Sequence, residues 1–158
     1  MRVEEQFEVA CSVERAYAML NDVGEIGLCI AGVQEVKVID DTRSRWRVEQ
    51  RFGMIARTFN FDAHITAREP SRLVAFAAEA QEVAIKGHVA LDALDATRAR
   101  CRIEMDIDVS GPLAPLVEIF AKGPQQALIR QTLANLRARL DAASREPEAA
   151  PVARVLGV

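Results

Sequence analysis

Aromatic residues are scarce in this chain: one tryptophan, one tyrosine and six phenylalanines make up 5% of 158 residues. Where such side chains gather on one face, they will dominate its apolar surface. Histidine is scarcer still. His64 and His88 both fall in the polar phase of alternating runs, with no cysteine, carboxylate or histidine at a metal-ligand spacing. A surface role therefore outweighs a metal or general-base role. The three cysteines, Cys11, Cys29 and Cys101, are odd in number and widely spaced, which argues for reduced thiols over a disulfide framework. Cys101 opens an apolar alternation and reads as a small core residue. No G-x-S-x-G elbow, Walker loop, H-E-x-x-H or paired C-x-x-C occurs, so no familiar nucleophile, phosphate cradle or metal centre is announced. No cofactor and no metal are expected.

Two further absences bear on partners. No run approaches the roughly 18 apolar residues of a spanning helix, and Met1 is followed by a charged alternation rather than the apolar core of a secretory signal. The expectation is a cytoplasmic protein. A net charge of −3 and a pI near 5.5 supply no basic face for nucleic acid.

What is present is ordinary globular material: 50% hydrophobic and 27% charged residues, enough for one core and one domain. That domain is expected over residues 1–143. Residues 144–158, SREPEAAPVARVLGV, lack periodicity and read as a flexible tail. Its last seven residues, mildly apolar with Arg154, suit at most a weak partner or membrane contact, far short of stable anchoring.

The alternation of residues 2–9 predicts a half-buried strand with Val3, Glu5, Phe7 and Val9 on one face. Glu5 is its odd member, either solvated near a strand end or a polar group aimed into a cavity. Ser12, with Glu14 behind it, caps a short helix carrying Val13, Ala16, Tyr17 and Leu20. Gly24 is expected to break it, with a second short helical turn over residues 25–30 and a bend at Ala31 and Gly32. From Val33 to Val109 six runs follow: Val36 and Val38; Trp46, Val48, Gln50 and Phe52; Phe59, Phe61, Ala63 and Ile65; an ambiguous run over residues 73–78; Val83 to Leu91 in steps of two; and Cys101 to Val109 likewise. Turns at Asp40 and Asp41, at Glu69-Pro70-Ser71 and at Asp95-Ala96-Thr97 separate them.

Residues 111–143 form the only segment able to make a helix of several turns. Leu133, Leu136 and Leu140 fall at steps of three and four, with the polar residues between them expected to face water. Gly123 and Pro124 interrupt the stretch, so a kink or a junction of two helices is expected there. Strand, two short helices, six strands and a long helix predict an α+β helix-grip fold. In it a curved antiparallel sheet of about seven strands wraps on the C-terminal helix.

The side chains expected to face inward are Trp46, Val48, Phe52, Phe59, Phe61, Ile65, Ile85, Val89, Ile103, Met105 and Ile107, with Leu116, Phe120 and Leu128 from the helical stretch. They describe an apolar pocket for a lipophilic small molecule, or simply a filled core. Gln50 is the exception, since a buried amide needs partners from the backbone or from a ligand. No catalytic residue is assigned; Glu5 is the single weak acid–base candidate. Arg45, Arg47 and Arg51 form a basic row that Glu49 interrupts, and solvation is its default reading.

Two motifs carry a family resemblance: AYAMLND at residues 16–22 followed by LCIAGVQEV at residues 28–36, and GPLAPLV at residues 111–117 with KGPQQALIRQTLANLRARL running to Leu140. They resemble the CoxG family of carbon monoxide dehydrogenase accessory proteins, within the START-type helix-grip (SRPBCC) superfamily that also holds polyketide cyclases. The family pattern C-I-P-G stands here as Cys29-Ile30-Ala31-Gly32, which keeps the bend and removes its proline. The resemblance covers residues 1–142. It implies a non-enzymatic accessory protein that binds a lipophilic ligand such as a quinone or lipid. Its partner would be a molybdenum hydroxylase subunit of the carbon monoxide dehydrogenase type, served by maturation, membrane recruitment or quinone delivery, with transient contact at the inner membrane face. The alternatives are a small cyclase or dehydratase of the same fold, and a pure protein-interaction module.

Overall fold

The computed structural model describes residues 1–52, 54–115 and 125–143. The strand β1 (Arg2–Val9) leads into helices α1 (Val13–Leu20) and α2 (Val23–Cys29). Six strands follow: β2 (Val33–Val38), β3 (Arg43–Phe52), β4 (Ile55–Glu69), β5 (Leu73–Ala80), β6 (Val83–Asp95) and β7 (Arg98–Val109). A single 3-10 turn (Gly111–Leu113) and the helix α3 (Gln125–Ala143) complete the described elements. All neighbours pair antiparallel in the order β1-β7-β6-β5-β4-β3-β2. The meander β2 to β7 is thus joined at its far end by β1, which returns to pair Val3 with Met105 and Phe7 with Cys101. The curved seven-stranded sheet gripping a C-terminal helix is the expected fold.

Local chemistry sets the element ends. The Ser12 hydroxyl accepts from the Arg15 amide at 3.3 Å and caps α1. The break after α1 differs from the sequence expectation: Gly24 lies inside the first turn of α2, and Asp22 caps that helix by accepting from the Glu25 amide at 3.2 Å. Capping by an aspartate outweighs the modest helix penalty of a glycine so near the end. The ambiguous run becomes β5, a central strand between β4 and β6. At the β2–β3 turn the Asp40 carboxylate accepts from the amides of Thr42 at 3.0 Å and Arg43 at 2.8 Å. The Asp95 carboxylate does the same for the Thr97 amide at 2.9 Å.

The main core lies where α1, α2 and α3 meet the sheet. Val9, Cys11, Ala16, Cys29, Leu91, Ala99, Cys101, Leu136 and Leu140 are buried in one cluster, with Leu133 packed against it. The leucine stripe of α3 therefore faces inward as its spacing predicts. The polar residues between those leucines do not simply face water. Thr132 accepts from the Ala31 amide at 3.1 Å, Asn135 donates to the Cys29 carbonyl at 3.1 Å, and Arg139 donates to the Glu25 carboxylate. Asp141 accepts from the Ala10 amide at 2.7 Å. A polar stripe thus fastens α3 to α2 and to the bend before β2, beside the apolar stripe that buries it. Gly123 and Pro124, and residues 144–158, lie outside the described residues.

Candidate functional site

Directly opposed residues of antiparallel strands share a face, so the register decides which side chains meet. Trp46 opposes Phe61 and Val48 opposes Phe59. Val74 opposes Val89 and Ala78 opposes Ile85, while Ile85, Gly87 and Val89 oppose Ile107, Met105 and Ile103. Ala63 and Ile65 carry the same face across β4 to Ala78 and Phe76. The inner face of the sheet therefore brings together Trp46, Val48, Phe59, Phe61, Ile85, Val89, Ile103, Met105 and Ile107, and Gln50 follows Val48 two residues along the same strand. Phe52 ends β3 and Leu128 sits in α3, but their side chains lie outside the described residues, as do Leu116 and Phe120 entirely.

This face has two parts. Val89 and Ile103 are buried in the main core, with Ile65, Phe76 and Met105 packed against it. Phe59 and Val83 nucleate a second cluster with Phe61, Ala80, Ile85, Ile107 and Val109, which remain only partly buried. The rings of Phe59 and Phe61 lie 6.1 Å apart at 35°. The second cluster occupies the strand ends away from α1, where β7 runs out toward the 3-10 turn.

Few polar groups enter this surface, and most are already engaged. The Trp46 indole donates to the hydroxyl of the buried Ser44 at 2.8 Å. Gln50 donates through Nε2 to the Ala31 carbonyl at 3.3 Å; among the described residues its Oε1 has no partner. Beside it lies an open hollow of about 370 Å³ lined by Gly32, Val33, Gln34, Glu49, Gln50 and Arg51. Gly32 makes this geometry feasible: its φ is +92°, and a Cβ there would lie 2.3 Å from the Glu49 carbonyl oxygen and 2.9 Å from Gln50 Nε2. A second hollow of about 280 Å³ is lined by Val83 and Val109 together with Glu79, Glu82 and Asp108.

The acid–base candidates are few. Glu5 opposes Ile103 and so shares the inner face, but on the edge strand, where it is exposed. His64 is exposed, and His88 lies on the sheet surface 3.5 Å from Glu104. Burial, reinforced by the neighbouring Cys11, pushes the Cys101 thiol up to about 12, and burial pushes Cys11 to about 11. Neither supplies a thiolate nucleophile. The arginine row is neutralised in place, Arg45 by Asp62 at 3.2 Å, Arg47 by Glu35 at 3.2 Å and Arg51 by Glu49 at 3.9 Å. Among the described residues no cluster of histidine, cysteine and carboxylate side chains is arranged for a metal ion.

Arg68 is the residue that sequence reasoning missed. A bulge between Ile65 and Ala67 brings it opposite Val74, on the inner side. There it donates to Asn21 at 2.9 Å, to the Asp41 carboxylate at 2.8 Å and to the Asp41 carbonyl at 2.6 Å. It ties the end of α1 to the β2–β3 turn, a structural brace; only the break in alternation after Ile65 hints at it.

An apolar inner sheet face under a gripping helix, with one half-buried amide, is suited to hold a greasy molecule. The family described as polyketide cyclase/dehydrase and lipid transport matches residues 1–141. The chain belongs to this family. Its fold recurs in a conserved protein from Geobacillus kaustophilus, 14% identical over 90% of this chain and 97% of that one, with a TM-score of 0.75. A START superfamily protein from Mycobacterium smegmatis, 14% identical over 89% and 97% of the two chains, gives 0.69. The Zhui aromatase/cyclase of a Streptomyces species, 20% identical over 95% and 97%, gives 0.63. No curated protein sequence matches the chain. Among the described residues of this polyketide cyclase and lipid transport family member, no helix is long and apolar enough to cross a membrane.

Proposed function

We propose that this family member is a carrier for a lipophilic small molecule, held between α3 and the inner face of the sheet, and that it serves a molybdenum hydroxylase of the carbon monoxide dehydrogenase type. The observation that carries the binding reading is the second apolar cluster, Phe59 and Val83 with the partly buried Phe61, Ile85 and Ile107, beside an amide at Gln50 with hydrogen-bonding capacity to spare. Such a surface offers an apolar floor for a ring or chain and one polar group to orient it. The accessory role, with maturation, membrane recruitment or quinone delivery as its form, rests on the motif resemblance at residues 16–36 and 111–140.

The cyclase reading draws on the family description and on the Zhui neighbour. It needs acid–base groups facing the bound molecule. Glu5 stands exposed on the edge strand and Gln50 is an amide, which favours carriage over catalysis.

Two measurements test the reading. Mass spectrometry of an organic extract of the purified protein is expected to show a stoichiometric lipid or quinone. Trp46 is the single tryptophan and stands on the inner face, so a short-chain quinone is expected to quench its fluorescence saturably, and less tightly in an Ile85→Asp variant. An empty extract together with linear, unsaturable quenching refutes carriage. Turnover of a polyketide-like substrate without a partner enzyme would establish the cyclase alternative.

A further inference from the structure

A seven-stranded open sheet has two edges, here β1 and β2, and among the described residues no strand pairs with the outer side of either. An open edge is a template for pairing with another chain unless something blocks it. The β1 edge is disfavoured in its central registers. Antiparallel pairing of β1 with its own copy about Glu4, Glu5 or Gln6 sets Glu4 on Glu4, Glu5 on Glu5 or Glu4 on Glu8 respectively. Glu5 points to the apolar side of that edge strand, so burying it under a neighbouring sheet would strand a carboxylate.

The β2 edge differs in three respects. Among the described residues its backbone is free to pair: Ile39 donates to the Arg43 carbonyl at 3.0 Å, and Lys37 and Glu35 oppose Arg45 and Arg47. By the alternation of an antiparallel ladder the main-chain groups of Val36 and Val38 then point outward. Its flank is apolar and exposed: Val38 is 59% and Ile39 44% accessible, and on α2, packed against β2, Leu28 is 68% accessible. Its charge pattern is self-complementary. Counting outward from Val36, Glu35 and Lys37 stand one residue to either side on the face opposite the valine; Glu35 already pairs with Arg47 of its own chain at 3.2 Å and can be shared with a second cation, and Lys37 has no ionic partner among the described residues.

We propose that β2 pairs antiparallel with β2 of a second copy of this chain about Val36, forming a two-fold dimer whose sheet runs on across the interface. Val36 meets the partner's Val36 in a hydrogen-bonded pair. Glu35 of each chain then opposes Lys37 of the other in the closer, non-hydrogen-bonded positions, where side chains interact most directly. The same operation brings Val38 and Ile39 of each copy to the junction, removing exposed apolar surface from water. The two-fold makes each ion pair occur twice.

Sedimentation velocity over a micromolar to submillimolar concentration series tests this. The parent chain is expected to move from 17.4 kDa to twice that mass. Lys37→Glu and Glu35→Lys each set like charges opposite one another twice per dimer, and each is expected to weaken self-association by at least about tenfold. Mixed together, the two variants restore opposite charges at all four positions and are expected to form a heterodimer with near-parental affinity. Both changes are on exposed side chains, although Glu35→Lys also gives up the pair with Arg47 at 3.2 Å, so unchanged thermal melts will show that loss of dimer is not loss of fold; Val38→Lys provides an independent block at the same edge. A parent that stays monomeric throughout, a Lys37→Glu variant that dimerises like the parent, or a mixture with no gain over its components overturns the proposal.

Discussion

Replacing Gly32 by alanine probes the hinge on which the inner-face amide depends. The residue has φ +92°, a conformation that costs an L-amino acid about 1–2 kcal/mol. The added Cβ would also lie 2.3 Å from the Glu49 carbonyl oxygen, so the backbone must part locally. The nearest bond to yield is the one from the Glu49 amide to the Gly32 carbonyl, now 2.8 Å, whose loss costs about 1 kcal/mol. Together the two effects come to about 2–3 kcal/mol. For a chain of this size that lowers the melting temperature by about 4–12 °C. The same Cβ would stand 2.9 Å from Gln50 Nε2 and displace the amide, so quenching of Trp46 by a quinone should weaken by about tenfold, the worth of one hydrogen bond. Differential scanning calorimetry and the fluorescence titration read the two effects separately. Gly24→Ala is the control: its Cβ would meet only Asp22 Oδ1 at 3.5 Å in the first turn of α2, and the exchange should stabilise by up to about 1 kcal/mol. If Gly32→Ala melts with the parent, the reasoning about this bend fails.

Two other outcomes follow from the packing and the turns. Leu140 is fully buried, so Leu140→Ala should cost about 2–5 kcal/mol in urea unfolding; a loss below about 1 kcal/mol would show that α3 does not seal the core. Asp40 is held down to about 2 by the Thr42 amide, then by Arg43, and Asp95 to about 2 by the Thr97 amide, then by Arg98. Both folded values lie below those of the unfolded chain, so their contribution is complete above the ordinary carboxylate range and lost as pH falls toward 2. The urea midpoint of the parent should therefore fall between about pH 5 and pH 2, and less steeply in an Asp40→Asn/Asp95→Asn double variant; parallel profiles would refute the assignment.

The sheet was legible because nearly every strand keeps one wet face, so period two survives in the sequence from Val36 to Val109. β5 was not, since alanines at 75, 77 and 78 make its two faces alike; only its place between β4 and β6 settles it. Gly24 misled because glycine near a helix start is tolerated when Asp22 supplies the cap. Arg68 was hidden by a bulge, which reverses facing without changing residue type. The fastening of α3 was beyond sequence reading because Thr132 and Asn135 meet main-chain groups about one hundred positions away, and nothing about a carbonyl or an amide is written in a residue's identity. Gln50 stood out as the polar residue in an apolar row, but its partner, the Ala31 carbonyl, belongs to the same unreadable class.

Ala31 occupies the position where the resembled family pattern has proline. A proline there would stiffen the bend but possess no N–H, and it is the Ala31 N–H that Thr132 accepts. Its carbonyl meanwhile receives Gln50. A single peptide-linked residue thus receives the helix on one side and the floor of the sheet on the other. The grip of the helix and the one amide offered beneath it are therefore joined through the two faces of a single peptide-linked residue.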